Sequence, residues 1–372
     1  MKVLSISLDK KIFDENSPVA QRQIEYGKLF DELHIIVLTL KGYQSRKLSN
    51  NVYVYPTNSL NKIFYFFNAY KIIKKMALTD NQWLVSAQDP YETGILGYFI
   101  KIKYKIPLQL QIHIDFWNKY FKKESHVNKF RYLVGQYLIR RADCLRTVSQ
   151  RLTKEIRPEL KNVSIPIINL PVFVDTEKIR NSPIKQNLHE KYANYDFLIL
   201  MASRIVKQKN INLVIKVMPE IVKKFSKCLL LIVGDGQEKE KLQRMALMSA
   251  PDNIIFEKWN DDLISYYKTA DLFLLTSNYE GYAMTVVEAM TAGLPVLMTN
   301  VGCAGEIIED EKNGLIIPVN NEEALTKALI KLIENPALRK KLANHSLQKA
   351  ITMISKEAYL ENYKKSLAIG LT

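Results

Sequence analysis

The sequence predicts an α/β protein built from two doubly wound domains, each a parallel sheet with helices on both faces, facing one another across a cleft. Three observations carry this. Apolar runs of strand length alternate with stretches long enough for a helix along nearly the whole chain, which is the pattern of parallel βαβ units. The alternation pauses once, near the middle. The length of 372 residues exceeds the size at which a single core usually stops growing, while 47% apolar and 10% aromatic residues argue for a folded globular chain.

In the first half the strand-like runs are "KVLSISL", "ELHIIVLTL", "NVYVYP", "QWLVSAQ", "PLQLQIHI", "CLRTVS" and "VSIPIIN", each followed by a segment long enough for a helix. At "NLPVFVDTEKI", Pro171 and a polar stretch break the rhythm, so the linker falls near residues 169–176 and the first domain spans 1–170. The second, 171–354, runs through "YDFLILMASRI", "NLVIKVMPEIVKKF", "CLLLIVGDG", "EKEKLQRMALM", "NIIFEKW", "LISYYKTA", "DLFLLTS", "AMTVVEAMTA", "LPVLMTN" and "NGLIIPV", a second doubly wound unit. The tail reads as consecutive helices, with Ser355 a cap for the last, 355–372. Open α/β sheets bind ligands beyond the carboxyl ends of their strands, so chemistry is sought in the loops that follow strands.

Composition narrows the class. Cys144, Cys228 and Cys303 are far apart, odd in number and set in apolar or alanine-rich contexts, which argues against a disulfide framework or a cysteine metal site. The six-residue run "VLSISL" is too short for a signal peptide, and no stretch reaches the roughly 18 apolar residues that span a bilayer. The expectation is a cytoplasmic protein, at most peripheral to a membrane. Of the net charge of +15, residues 1–170 hold +13, from 27 Lys+Arg against 14 Asp+Glu. Either the first domain meets an anionic surface or its lysines are simply solvated.

Residues 277–296, "SNYEGYAMTVVEAMTAGLPV", set two glutamates in an apolar neighbourhood that offers them no local cation. A buried carboxylate is costly unless paired or hydrogen-bonded, so a ligand is one answer to what they meet. "DLFLLTS" reads as the strand, "NYEGY" as its exit loop and "AMTVVEAMTA" as a helix closed by Gly293 and Pro295. Glu280 then sits at the strand's carboxyl end, and Glu288 lies two turns into the helix, reaching back toward its start. Gly281 permits close backbone approach, and the free N–H groups of Tyr282, Ala283, Met284 and Thr285 suit a phosphate. The carboxylates would repel a phosphate and are better suited to hydroxyls. Upstream, "ASRIVKQKNIN" puts Arg204 and Lys209 after another strand; they clamp a diphosphate or are solvated loop cations. "VGDGQEKEKL" lacks the full dinucleotide glycine motif and is weak support for NAD; a tight turn lining the cleft explains it better.

The ordered set "SRIVKQKN", "LLLIVGDG", "YYKTADLFLLTS" and "EGYAMTVVEAMTAGLPV" resembles the donor domain of retaining GT-B fold glycosyltransferases of family 4 (glycosyl transferases group 1) and covers most of residues 195–320. The resemblance implies two Rossmann-like domains, the first for the acceptor and the second for a nucleotide-sugar donor, with the helix 355–372 crossing back toward the first. It implies Arg204 and Lys209 on the donor diphosphate, Glu280 on the donor sugar hydroxyls near the reacting carbon, Glu288 on the ribose, and neither a cofactor nor an essential metal, because cations and a helix N-terminus neutralise the leaving diphosphate. Two positions depart from the family: Lys258 and Ala283 stand where glycine is frequent, and the methyl of Ala283 narrows the donor pocket.

On the acceptor side, "PLQLQIHIDFWNKYF" leaves His113 and Asp115 near a strand's end. A lone histidine there is as easily structural. The resemblance favours a functional His113, orienting a sugar while the departing phosphate oxygen takes the acceptor proton. "SAQDPYETGILGY" offers Asp89, Glu92 and Gly94 as an acceptor loop, or Asp89 as a helix cap. The first strand's loop, "SLDKKIFDENSPVAQRQIEYG", lacks the paired glycines frequent in the family. "NSLNKIFYFFNAYKIIKKMAL" mixes Ile63, Phe64, Phe66, Phe67, Ile72 and Ile73 with Lys62, Lys71, Lys74 and Lys75; it reads as a helix lying on an anionic membrane, or as a buried helix with a lysine rim.

The expected function is a retaining, metal-independent hexosyltransferase that moves a sugar from a nucleotide-diphosphate donor to a glycan or lipid-diphosphate-linked acceptor in cell-surface polysaccharide or glycolipid synthesis. A nucleotide-sugar epimerase shares the architecture and is the alternative. Charge alone suggests nucleic-acid binding, but no nucleic-acid motif accompanies it, and no such partner is expected.

Overall fold

The computed structural model describes residues 1–76, 78, 82–161 and 163–371. The chain divides into two compact units: Met1–Trp117 with Ser125–Pro171 and Ser355–Thr372, and Asn118–Glu124 with Val172–Ile354. Residues 118–124 lie inside the stretch read from the sequence as the first domain, yet group with the second unit. There Phe121 packs edge-on against Tyr279 at 5.6 Å and the Tyr279 hydroxyl donates to Glu124.

The first unit is built on an eight-stranded sheet in the order β3-β4-β2-β1-β5-β6-β7-β8, formed by Lys2–Ser7 (β1), Glu32–Val37 (β2), Arg46–Ser49 (β3), Val52–Pro56 (β4), Trp83–Ala87 (β5), Leu108–Ile112 (β6), Cys144–Thr147 (β7) and Ile167–Asn169 (β8). All pairings are parallel except β3 with β4. Strand β3 stands where a helix was expected to follow β2. Its sequence, "RKLS", is polar because it is an edge strand, and a charged edge resists pairing with other chains. The strands β1, β5 and β6 are buried almost throughout, as parallel strands covered on both faces are.

The C-terminal helix, Lys356–Ala368, returns to this unit, its first turn capped by Ser355, whose hydroxyl accepts from the Ala358 amide. It lies on the polar side of β6: Gln109 Nε2 donates to the Ser366 carbonyl at 2.7 Å. Its Tyr363 stacks on Tyr26 with ring centroids 4.2 Å apart, and the hydroxyls of Tyr359 and Tyr26 are 3.0 Å apart. Strand β6 alternates leucine with glutamine because one side meets helices and the other meets this helix.

The second unit holds a six-stranded, all-parallel sheet in the order β11-β10-β9-β12-β13-β14. Its strands are Phe197–Ala202 (β9), Cys228–Val233 (β10), Ile254–Glu257 (β11), Leu272–Leu275 (β12), Val296–Thr299 (β13) and Leu315–Ile317 (β14). The helix Ile211–Lys224 buries Ile211, Val214, Ile215, Met218 and Ile221, a face spaced at three and four residues, into one core with β9, β10 and the Glu322–Glu334 helix. The chain reverses its direction of travel across this sheet between β9 and β12, and that switch point is where ligands bind in such folds.

Candidate active site

The loops that leave β9 and β12 flank the switch point, and they are bonded to each other along their length. The Asn278 amide donates to the Gln208 carbonyl at 2.8 Å, Gln208 Nε2 to the Tyr279 carbonyl at 2.9 Å, and the Thr276 hydroxyl to the Lys209 carbonyl at 3.0 Å. Glu280 is thereby fixed. Its Oε1 is 2.5 Å from Lys209 Nζ and accepts from the Ser277 hydroxyl at 2.7 Å, while Oε2 accepts from Gln208 Nε2 at 3.3 Å. The carboxylate is 7% exposed. The segment around Glu280 supplies no cation, as read from the sequence, but a distant one does: Lys209, which the resemblance puts on a diphosphate, is its ion-pair partner. The pair is invisible in the local segment because 71 residues separate its members.

Residues Met284–Thr291 form the helix after this loop, so Glu288 lies little more than one turn in rather than two. The Tyr267 hydroxyl donates to Glu288 Oε2 at 2.9 Å, and burial raises the Glu288 pKa above the carboxylate range. The helix begins at Ala283, which has φ +74° and no capping side chain, so its first-turn amides are left for another acceptor. Met284 and Thr285 carry these amides at a partly exposed position. Gly281 and Tyr282 are buried, and the Tyr282 hydroxyl makes no hydrogen bond among the described residues. Arg204 is exposed.

Two further loops hold this arrangement from behind, the one after β13, which the sequence did not single out, and the "VGDG" turn after β10, which it placed at the cleft. Gly302 follows β13 with φ +55°, and a β-carbon there would lie 2.8 Å from the Tyr282 carbonyl and 2.9 Å from Glu280 Cβ. The loop after β10 presses equally close: a β-carbon on Gly234, at φ +155°, would sit 1.9 Å from the Ser203 carbonyl. "VGDG" is accordingly a close-packing turn against the Arg204 loop. The signal for both was a glycine after a buried strand. Among the described residues no three His, Cys, Asp or Glu side chains are placed to hold a metal ion.

His113, Asp115 and Asp89 belong to the first unit. His113 Nε2 is 2.9 Å from Gln111 Oε1. The residue is solvent-accessible, yet crowding by protein, then the cations Arg146 and Arg22, lower its pKa below the histidine range. It is neutral at about pH 7. Asp115 is buried. Asp89 accepts from the amides of Tyr91 at 2.8 Å and Thr93 at 3.1 Å and from the Thr93 hydroxyl at 2.9 Å, and burial pushes its pKa up to about 6. These bonds tie it to the start of the Glu92–Tyr104 helix, the capping reading rather than the acceptor one. Glu92 is paired with Arg131, its Oε1 2.7 Å from the guanidinium Nε.

The basic segment at 62–75 is the helix Tyr65–Lys75 after a short turn. Ile63, Phe64, Phe66 and Phe67 are exposed, but Ile73 is fully buried against the unit and does not share that face. A stripe the sequence reading passed over lies on the helix His126–Ile139, where Val127, Phe130, Leu133 and Tyr137 are exposed. Edge-on contacts Phe66–Phe99 at 4.8 Å and Tyr98–Tyr137 at 6.1 Å connect both helices through Glu92–Tyr104, which adds exposed Ile95 and Ile102.

Two doubly wound sheets, one bearing a lysine–carboxylate pair at its switch point, define the GT-B class of glycosyltransferase fold. The chain is similar to Anabaena HepE solved in complex with UDP, with a TM-score of 0.77 and 17% identity over 99% of this chain and 100% of that one. Residues 184–349 match the family model of the glycosyl transferases group 1. Over 86% of this chain and 85% of that protein it is 26% identical to an uncharacterized glycosyltransferase of Methanocaldococcus jannaschii. It is 24% identical to the UDP-Gal:alpha-D-GlcNAc-diphosphoundecaprenol alpha-1,3-galactosyltransferase of Escherichia coli, over 72% of this chain and 70% of that one.

Proposed function

We propose that this glycosyltransferase moves a hexose, with retention, from a nucleotide-diphosphate sugar to a glycan or lipid-diphosphate-linked acceptor, without an essential metal. The observation that carries this is the buried Lys209–Glu280 pair beside the uncapped helix at Ala283. A donor diphosphate would draw Lys209, Arg204 and the first-turn amides, releasing Glu280 to accept bonds from sugar hydroxyls, with Glu288 on the ribose. In the transfer the acceptor oxygen bonds to the anomeric carbon, the bond from that carbon to the diphosphate breaks, and the acceptor proton passes to the departing phosphate oxygen. The names of the relatives support both ends: HepE was solved with UDP, and the Escherichia coli enzyme is named for a UDP-galactose donor and a diphosphoundecaprenol-linked acceptor.

The test begins with a panel of UDP- and GDP-hexoses screened for thermal stabilisation, since a specific ligand raises the melting temperature by mass action. Release of the nucleoside diphosphate is then followed for the best donor. Glu280→Gln is expected to lower turnover by roughly 100-fold, and Lys209→Ala to abolish the donor's thermal shift, both with a native circular dichroism spectrum. Near-normal turnover in both variants, or epimerised sugar nucleotide formed without an acceptor, overturns the reading.

We also propose that the first unit docks on an anionic membrane. Its exposed apolar side chains on three connected helices are interleaved with Lys62, Lys71, Lys74, Lys75 and Lys129, and a lipid surface with negative headgroups complements both features. No helix among the described residues is long and apolar enough to cross a membrane.

A further inference from the structure

Gln111 and His113 fall on the same side of the β6 line, two residues apart, and Gln111 lies opposite Arg146 of β7 in the parallel register. Arg146 is a cation only 3% exposed. Among the described residues its guanidinium is held by neutral groups: the Leu170 carbonyl at 3.2 and 3.3 Å, the Tyr359 hydroxyl at 3.0 Å and Gln111 Oε1 at 3.2 Å, with the Tyr363 ring centroid 5.0 Å away. A buried cation without a carboxylate is costly, and packing alone gives no reason to keep one here.

Its hydrogen-bonding chemistry supplies a reason. A guanidinium has donors and no acceptor, so the amide atom that Gln111 turns toward it must be the oxygen. That orientation sends Gln111 Nε2 to the Ser86 hydroxyl, 2.8 Å away. The same oxygen is 2.9 Å from His113 Nε2, and an amide oxygen only accepts, so His113 must carry its proton on Nε2. Nδ1 is then a lone-pair acceptor, and it makes no hydrogen bond among the described residues.

We infer that Arg146 and Gln111 are positioning residues that fix His113 as the Nε2–H tautomer, so that Nδ1 is offered to a donating hydroxyl of a sugar substrate. A phosphate or carboxylate presents only acceptors to that lone pair and is turned away. The lowered basicity from crowding, Arg146 and Arg22 keeps the lone pair unprotonated. Through Tyr359 the same network ties the C-terminal helix to the histidine. The substrate part of this inference rests on the proposed transfer reaction; the tautomer part does not.

Selective 15N labelling of histidine reads the tautomer directly in the full chain, with His113 assigned by the signal lost in His113→Gln. The parent is expected to show a neutral, Nε2-protonated ring at about pH 7. In Gln111→Met the tautomers should mix, and turnover should fall roughly ten-fold with little change in the donor KM. Should that variant not fold, Gln111→Glu keeps both bonds while adding a negative charge, and its His113 is expected to be protonated at a pH where the parent is neutral. An Nδ1-protonated parent, or a His113 signal unchanged in both variants, overturns the inference. A tautomer that shifts in Gln111→Met with unchanged turnover supports the lock and removes His113 from the transfer reaction, which separates the two failures.

Discussion

Ala283 is held at φ +74°, a left-handed conformation that a β-carbon disfavours by roughly 1–2 kcal/mol. The position was read from the sequence as a methyl that narrows the donor pocket; the backbone angle adds a reason for the glycine frequent there in the family. Ala283→Gly should relieve that strain and lose about 0.4–1 kcal/mol of it to the freer unfolded chain. The expected result is a melting temperature raised by about 2 °C or less, read by scanning calorimetry; a fall would show that the angle is not strained. Asp89 makes a pH prediction. Its folded pKa of about 6 lies above the ordinary 3.8, so the folded state holds the proton more tightly and stability falls as pH rises from about 4 to about 6. Asp89→Asn keeps an acceptor for the helix amides without that charge. Its stability relative to the parent should therefore grow by up to about 2 kcal/mol across that window and stay level above it, measured by urea unfolding.

At the scale of elements, buried parallel strands were legible because each is a short, nearly continuous apolar run: β1, β5, β9, β10 and β12 all coincide with such runs. Strand β3 was not, because an edge strand of "RKLS" has nothing to bury. The helix Tyr65–Lys75 was legible as basic and aromatic, but its division into a buried side with Ala69 and Ile73 and an exposed side with Phe66 and Phe67 needed the tertiary neighbours. Neither was the stripe on His126–Ile139 visible as a surface, since its apolar residues could have been core. The docking proposal makes a prediction for these helices together. The partition constant read by co-sedimentation with liposomes should rise with anionic lipid content and fall by roughly 100-fold when Lys71, Lys74 and Lys75 are replaced by alanine, near 1 kcal/mol per lysine. Replacing Phe130 and Leu133 by serine should weaken binding at every lipid composition. Binding indifferent to both changes rejects the surface.

Over the whole molecule, the alternation of strands and helices and the ordered motifs of the second half were sufficient for the fold class and for the resemblance to the glycosyl transferases group 1, whose family model matches residues 184–349. Periodicity, glycine after a buried strand and charge placed at a strand's carboxyl end are local, so sequence by itself determined the buried strands and the loops that follow them, and singled out Lys209, Glu280, Glu288 and His113 as candidates. Partnership is not local. That Glu280 is met by Lys209 rather than standing alone, that Glu288 leans on Tyr267, that Asp89 spends its oxygens on its own helix, and that a buried arginine on β7 decides which nitrogen of His113 holds a proton were all decided by tertiary structure. The physical reason is the same in each case. A hydrogen bond is made within about 3 Å, and only folding brings groups that are tens of residues apart in the chain to that distance.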